Sequence, residues 1–262
     1  MANKTFTDQL GRKVGIPFPP TSIISLVPSQ TELLFDLQLD AEVIGITKFC
    51  IHPDAWFRSK TRIGGTKQLH IEQIIELRPD LVIANKEENE KAQVEALMQH
   101  FPVWTSDIHD LAQACDMIEG IGRITDRATQ AIALSQQIRQ RFANLTPAEI
   151  NMPAAYFIWR EPWMVAGGDT FIHQMMLQCG FSNIYANHPR YPIADLDALK
   201  AAKVILLSSE PYPFKEKHIA EMQSYAPNAR IILVDGEMFS WYGSRLLHAP
   251  NYFKELQATV TG

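Results

Sequence analysis

Three cysteines in 262 residues are too few and too widely spaced to staple a small secreted scaffold. Cys50, Cys115 and Cys179 form no CxxC pair, so neither a structural zinc nor a dithiol redox site is written in the chain, and the odd count leaves at least one thiol free. Cys115 and Cys179 fall in helical apolar patterns and read as small core residues, whereas Cys50 falls in a loop and stays a candidate site residue. Long apolar runs are missing too. None approaches the roughly 20 residues that a membrane helix needs. Met1–Gly11 lacks the apolar stretch of a secretory signal, which leaves two expectations open: a signal once preceded this sequence, or the protein stays in the cytoplasm. Charge of one sign is scarce: the formal net charge is -5 with a pI near 5.9, and no basic stretch can follow a phosphate backbone, so nucleic acid is not expected as a partner. Catalytic signatures are absent as well, with no GxSxG elbow, no GxxxxGK[ST] loop and no HExxH. Gly120-Ile121-Gly122 lacks the third glycine of a dinucleotide fingerprint. No catalytic residue and no bound cofactor is expected.

What the chain does contain is apolar material in an orderly alternation. At 46% hydrophobic it can bury one large core or two smaller ones. Short β-branched runs at Ile23–Val27, Val43–Thr47 and Asp80–Ala84 alternate with helical patterns near Ile71–Leu77 and Asn89–Gln99, then lead to Val103-Trp104. Ser29 and Glu32 after the first run have the spacing of a capping box, and Pro53 is expected to forbid an immediate helix after Lys48–His52. From Asp110 to Asn144 the pattern turns helical, with an interruption expected near Gly120 and Gly122 and a restart at Thr125, and Ala131, Leu134, Ile138 and Phe142 mark one face. Beyond Pro147 and Pro153 the alternation resumes with strands at Ala154–Ile158, Val204–Leu207 and Arg230–Val234, and helices near Thr170–Cys179 and Lys215–Gln223. Strands alternating with helices imply parallel sheets with right-handed crossovers. The predicted architecture is therefore α/β: two Rossmann-like lobes joined by one long connecting helix, with residues 1–108 and 153–262 as lobes and 109–152 as connector. Ile71-Glu72-Gln73-Ile74 has a weak echo in Leu196-Asp197-Ala198-Leu199, each a few residues ahead of a strand. Two facing lobes would create a ligand cleft outside the carboxyl ends of the strands.

The loops at those carboxyl ends are rich in aromatic residues. Pro28, Phe49, Cys50, His52, Trp104, Trp159, Arg160, Trp163, Tyr212, Phe239, Trp241, Tyr242 and Arg245 come just after strands, Tyr191 lies in an inter-element loop, and four of the five tryptophans are in this set, while Arg160, Arg190 and Arg245 are the few basic residues expected near the ligand. Any one tryptophan serves as core filler more often than not. Their concentration in loops, which are normally polar, predicts a broad and partly apolar ligand surface. Cys50 and His52 offer only two metal donors two residues apart, so ordinary loop chemistry is expected there and no metal site is assigned.

The segments Ile23–Glu32, Val43–Thr47 and Ile71-Glu72 through Arg78-Pro79-Asp80-Leu81-Val82-Ile83-Ala84 resemble the helical-backbone class of ABC-transporter substrate-binding proteins, and within it the vitamin B12-binding members. The likeness continues through Gly167–Thr170, Cys179–Ile184 and Gly243-Ser244-Arg245. It implies two lobes and a stiff helical connector, with a corrinoid held without chemistry. By the same resemblance Pro28, Phe49, Trp163, Tyr191 and Arg245 match cleft-lining positions, while Glu72 and Asp197 match the acidic pair that docks on arginines of the permease; Asp195 is the ungapped competitor for the second position. Trp241 and Tyr242, which share a loop with Arg245, complete the expected ligand set. The loops Phe49–Pro53, Ser209–Phe214 and Asp235–Tyr242 depart from the B12-binding pattern. A haem or ferric-siderophore receptor is the alternative within the binding class, and a cytoplasmic tetrapyrrole-handling enzyme or sensor is the alternative outside it. The expected partners are ABC permease subunits and a small metal chelate, and the chain is expected to be a monomer.

Overall fold

The computed structural model describes residues 2–145 and 151–261 and divides them into two compact units. The first comprises the chain up to Ile108, Ala112–Ile138 and Tyr242–Arg245; the second comprises His109–Leu111, Arg139–Trp241 and the chain from Leu246 onward. Pro147 lies outside the described residues.

The first unit opens on an antiparallel hairpin that the sequence reading did not foresee, β1 (Ala2–Thr7) and β2 (Lys13–Phe18). In β2 only Val14 and Ile16 are buried, a period of two. Its turn is closed by Asp8, whose Oδ1 accepts from the Leu10 and Arg12 amides while Oδ2 accepts from the Arg12 guanidinium. Then come β3 (Ile23–Ser25), α1 (Pro28–Asp36), β4 (Val43–Ile46), α2 (Asp54–Ser59), the two-residue strands β5 (Thr61–Arg62), β6 (Gly64–Gly65) and β7 (Gln68–Leu69), α3 (Ile71–Leu77), β8 (Leu81–Asn85), α4 (Lys91–Met98) and β9 (Val103–Ser106). The main sheet has the order β5-β4-β3-β8-β9 with every pairing parallel. All five residues of β8 are buried, as a strand covered on both faces requires.

Two local expectations fail here. The Ser29/Glu32 capping box does not form: Val27 is the N-cap, without a side-chain hydrogen bond, and Pro28 takes the first helical position. Proline's missing N–H belongs to the first turn, where it has no intrahelical partner anyway, so the helix begins without a polar cap. Pro53 likewise does not forbid a helix. It sits at the N-cap of α2, where the same argument makes it harmless, and Asp54 in the first turn suits the helix dipole.

The helical stretch consists of α5 (Leu111–Ile124) and α6 (Ala128–Ala143). Contrary to expectation, α5 runs unbroken through both glycines. They permit close packing instead: a Cβ at Gly120 would meet the Trp104 ring at 3.0 Å, and one at Gly122 would overlap the Ala131 methyl. The break falls at Asp126, with φ 60°, and the Thr125 hydroxyl donates back to the Ile121 carbonyl rather than capping α6. Ala131, Ile138 and Phe142 are buried along α6, within which the chain passes from the first unit to the second.

The second unit contains β10 (Met152–Trp159), β11 (Met164–Val165), α7 (Phe171–Gln178), β12 (Phe181–Asn183), a 3-10 turn at Ala198–Ala201, β13 (Val204–Ser208), α8 (Glu216–Tyr225), β14 (Arg230–Val234), α9 (Glu237–Ser240), a 3-10 turn at Ser244–Leu247 that it shares with the first unit, and α10 (Ala249–Thr261). Its sheet runs β11-β10-β13-β14, with β12 also on β10; β10, β12, β13 and β14 pair in parallel, and β11 is antiparallel. Phe157, Val165, Leu199, Ile205, Leu207, Phe214 and Met222 form the core. Thr170 caps α7 by accepting the His173 amide at 3.1 Å. The unforeseen α10 buries Phe253, Leu256 and Val260 at helical spacing. No helix among the described residues is long and apolar enough to cross a membrane.

Candidate functional site

In the first unit Pro28 and Phe49 follow β3 and β4, and Tyr242–Arg245 join it from the chain beyond β14, with Gly243 and Arg245 against α1. Pro28 starts α1 directly beyond β3, and the turn after β4 leaves Phe49 52% exposed, with the Lys48 ammonium 5.1 Å from its ring centroid. Cys50 beside it is fully buried, its Sγ 3.1 Å from the hydroxyls of both Thr31 and Thr47. Burial pushes this thiol up, which keeps it protonated and unreactive. Among the described residues no group of three or more His, Cys, Asp or Glu side chains is placed to hold a metal ion, so Cys50 and His52 do not belong to a larger donor set.

Arg245 does not stand open to solvent. Its Nε donates to Glu32 Oε2 at 3.0 Å and its Nη2 to Oε1 at 2.5 Å, a bidentate pair whose side chains are only 14% and 18% exposed. Burial pushes the Glu32 carboxyl up, and the hydrogen bonds and charge of Arg245 offset this only in part. Tyr242 is buried. Sequence reasoning assigned Glu32 to a cap and missed this pairing; a carboxylate four residues into the first helix carries no mark of a partner more than two hundred residues away.

In the second unit the aromatic side chains separate into two groups. Trp163 stacks on Phe214, with centroids 5.8 Å apart and planes 3° from parallel, and meets Phe157 edge-on at 5.6 Å. The Arg160 guanidinium lies 5.7 Å from its ring centroid. Trp163 therefore packs against the core of its unit. Trp241 is 6% exposed and its indole donates to Glu210 Oε1 at 2.9 Å. Burial pushes the Glu210 carboxyl up, and Ser240 and Trp241 pull the other way by hydrogen bonding to it. Phe239 is fully buried, and in the first unit Trp104, expected in a strand-end loop, is instead a buried residue of β9. Tyr191 is half-buried.

Trp159 belongs to the other group. It ends β10 and is 41% exposed, with Tyr212 edge-on at 5.7 Å and 70°. Met164 lies opposite Trp159 in the β10/β11 ladder and bridges to Ile193, which is 67% exposed. Ile193 was missed because it stands in a proline-flanked loop with no periodicity. Arg160, expected among the site cations, is held by Glu221 at 3.0 Å and also by Glu161.

The expected docking residues are both exposed. Glu72 lies in the first turn of α3, while Asp197 precedes only a 3-10 turn and pairs with Lys200 at 2.8 Å. The competing Asp195 accepts the Asp197 amide at 3.0 Å.

Residues 23–221 match the family described as "Periplasmic binding protein". A vitamin B12-binding protein of Photorhabdus laumondii is 28% identical over 65% of this chain and 63% of its own length, so the chain spans under two thirds of that relative. A vitamin B12-binding protein of Vibrio cholerae is 26% identical over 73% of this chain and 72% of its own. Among solved structures, the periplasmic vitamin B12 binding protein of Vibrio cholerae superposes with a TM-score of 0.74 at 22% identity, covering 93% of this chain and 99% of that one. A periplasmic haem-binding protein from Roseiflexus in its apo form superposes with a TM-score of 0.77 at 19% identity, covering 91% and 97%. These two superpositions show a shared fold.

Proposed function

Since the chain belongs to the periplasmic binding protein family, we propose that it is the solute-binding component of an ABC uptake system and that its ligand is a corrinoid of the cobalamin type. The family consists of solute-binding proteins rather than enzymes, which removes the alternative of a tetrapyrrole-handling enzyme. The observation that carries the ligand reading is the large apolar side chains left open within each unit taken by itself: Phe49 just beyond β4 in the first, and Trp159 at the end of β10 with Ile193 bridged to Met164 of β11 in the second. Large apolar side chains exposed where parallel sheets bind ligands suit a broad ligand with apolar faces. The curated relatives named for vitamin B12 support a corrinoid.

A second reading, haem, is favoured by the structural likeness to a haem-binding protein and by the open ring of Trp159. A strongly anionic ferric siderophore fits less well, because Arg160 and Arg245 are already paired with carboxylates of the chain itself. In this reading the protein works in the periplasm, with Glu72 and Asp197 as the surface that meets the permease. Calorimetric titration with cyanocobalamin, cobinamide, haemin and a ferric hydroxamate tests the ligand. Tight one-to-one binding of the two corrinoids is expected; binding of haemin alone transfers the assignment to haem, and binding of none removes it.

A further inference from the structure

The chain leaves the second unit after Trp241, contributes Tyr242–Arg245 to the first, and returns at Leu246. This four-residue strap lies along one stripe of α1. Gly243 sits against the Ser29 carbonyl, which a Cβ there would overlap, and against the Leu33 side chain; the Ser244 hydroxyl donates to Asp36 Oδ2, and Arg245 grips Glu32 with two hydrogen bonds. Positions 29, 32, 33 and 36 share one face of a helix, so α1 offers a continuous cradle. Breaking the Glu32–Arg245 pair from one side leaves a charge with little access to water, a costly state, so the pair holds the strap firmly.

We infer that Glu32 is a positioning residue for ligand capture: through Arg245 it clamps the Tyr242–Arg245 strap onto α1, so that Tyr242 is in place before a ligand arrives. This rests on the proposal that the strand-end loops take the ligand. The physical ground is preorganisation. A strap ordered in advance avoids the conformational entropy that a loose one loses on binding. Arg245 then acts through the strap's order, with Glu32 as its partner.

The test uses the full chain. Amide hydrogen exchange of the segment 242–247 is followed in wild type, Glu32→Gln and the charge-exchanged pair Glu32→Arg/Arg245→Glu, each also titrated with cyanocobalamin and haemin. Glu32→Gln should speed strap exchange about tenfold and weaken binding of whichever probe the wild type takes by about tenfold. The exchanged pair should recover both, a rescue that a general loss of stability would not produce. Should Glu32→Gln fail to fold, Ser244→Ala removes the neighbouring anchor and should show the same two changes at lower amplitude. Unchanged exchange in Glu32→Gln overturns the clamp, and faster exchange with unchanged affinity overturns its role in capture. Recovery of exchange without affinity in the exchanged pair also overturns it, by making the charge of Arg245 the ligand contact. A wild type that binds neither probe refutes the proposed ligand and the role in capture together, while the exchange data still decide the clamp.

Discussion

Replacing Trp163 with alanine separates a core tryptophan from a ligand wall. From position alone the ring was a wall candidate, yet it stacks on Phe214, meets Phe157 edge-on and lies beneath Arg160. Truncating an aromatic side chain packed in this way costs about 3 to 5 kcal/mol, the transfer of the lost ring plus the cavity left behind. For a chain of this size each kcal/mol lowers the melting temperature by roughly 2 to 4 °C, so a drop of roughly 10 °C is expected without ligand. Trp241→Ala should fall in the same range, since it also removes one of the two side-chain hydrogen bonds, from Trp241 and Ser240, to the buried Glu210 carboxyl. Trp159 is the contrast. With 41% of the residue exposed and one edge-on neighbour, its removal should cost only about 1 to 2 kcal/mol of stability. If it meets the ligand, the same change should weaken corrinoid binding by about 2 kcal/mol, roughly thirtyfold. Thermal melts of the ligand-free variants beside calorimetric titrations measure both quantities. An unshifted melt with lost affinity for Trp163→Ala, or unchanged affinity for Trp159→Ala, would refute the division of the aromatic residues into core and surface.

Three further outcomes are expected. Asp80 Oδ2 accepts from the Thr21 amide and hydroxyl and from the Ser22 amide; burial pushes its carboxyl up, but these bonds prevail and hold it below the ordinary aspartate range. A depressed pKa gives stability that is present above the unfolded value and lost as pH falls through the folded one, so Asp80→Asn should flatten the stability profile only below about pH 4, checked by urea titrations across that range. All three cysteines are buried, so a thiol reagent should label none of them in the native protein and all three in denaturant; rapid native labelling of Cys50 would show that its loop opens. Reversing Glu72 and Asp197 to lysine should leave corrinoid affinity within about twofold, because exposed charges mainly govern association, while uptake in a reconstituted transporter falls at least tenfold; full uptake by the double variant would remove them from the docking surface.

The parallel sheets were legible because strands such as Leu81–Asn85 and Val204–Ser208 are buried on both faces and appear in the sequence as unbroken apolar runs. The misread boundaries share one cause. In the sequence proline and glycine read as interruptions, whereas Pro28 and Pro53 stand at helix starts, where proline is tolerated, and Gly120 and Gly122 lie inside a helix that needs close approach. The hairpin Ala2–Phe18 was missed because β1 is exposed nearly throughout and has no apolar stripe to announce it.

The site was legible as a region but not residue by residue, and the reason is physical. Sequence position puts a side chain at a strand's carboxyl end; it does not decide whether the side chain turns inward or out. Trp159 ends β10 and Trp163 lies four residues beyond it, one open to solvent and one stacked on Phe214, although the two residues are the same type. The same holds for charge. Arg160, Arg190 and Arg245 count as three site cations in the sequence, but Glu221 and Glu161 engage Arg160 and Glu32 engages Arg245. The positive charge these loops can present to a ligand is therefore less than their composition suggests. That shift in balance favours a ligand recognised by apolar area and neutral hydrogen-bonding groups over one held mainly by its anionic charge. A corrin, with its broad faces and amide rim, meets that description better than a carboxylate-rich ferric chelate does.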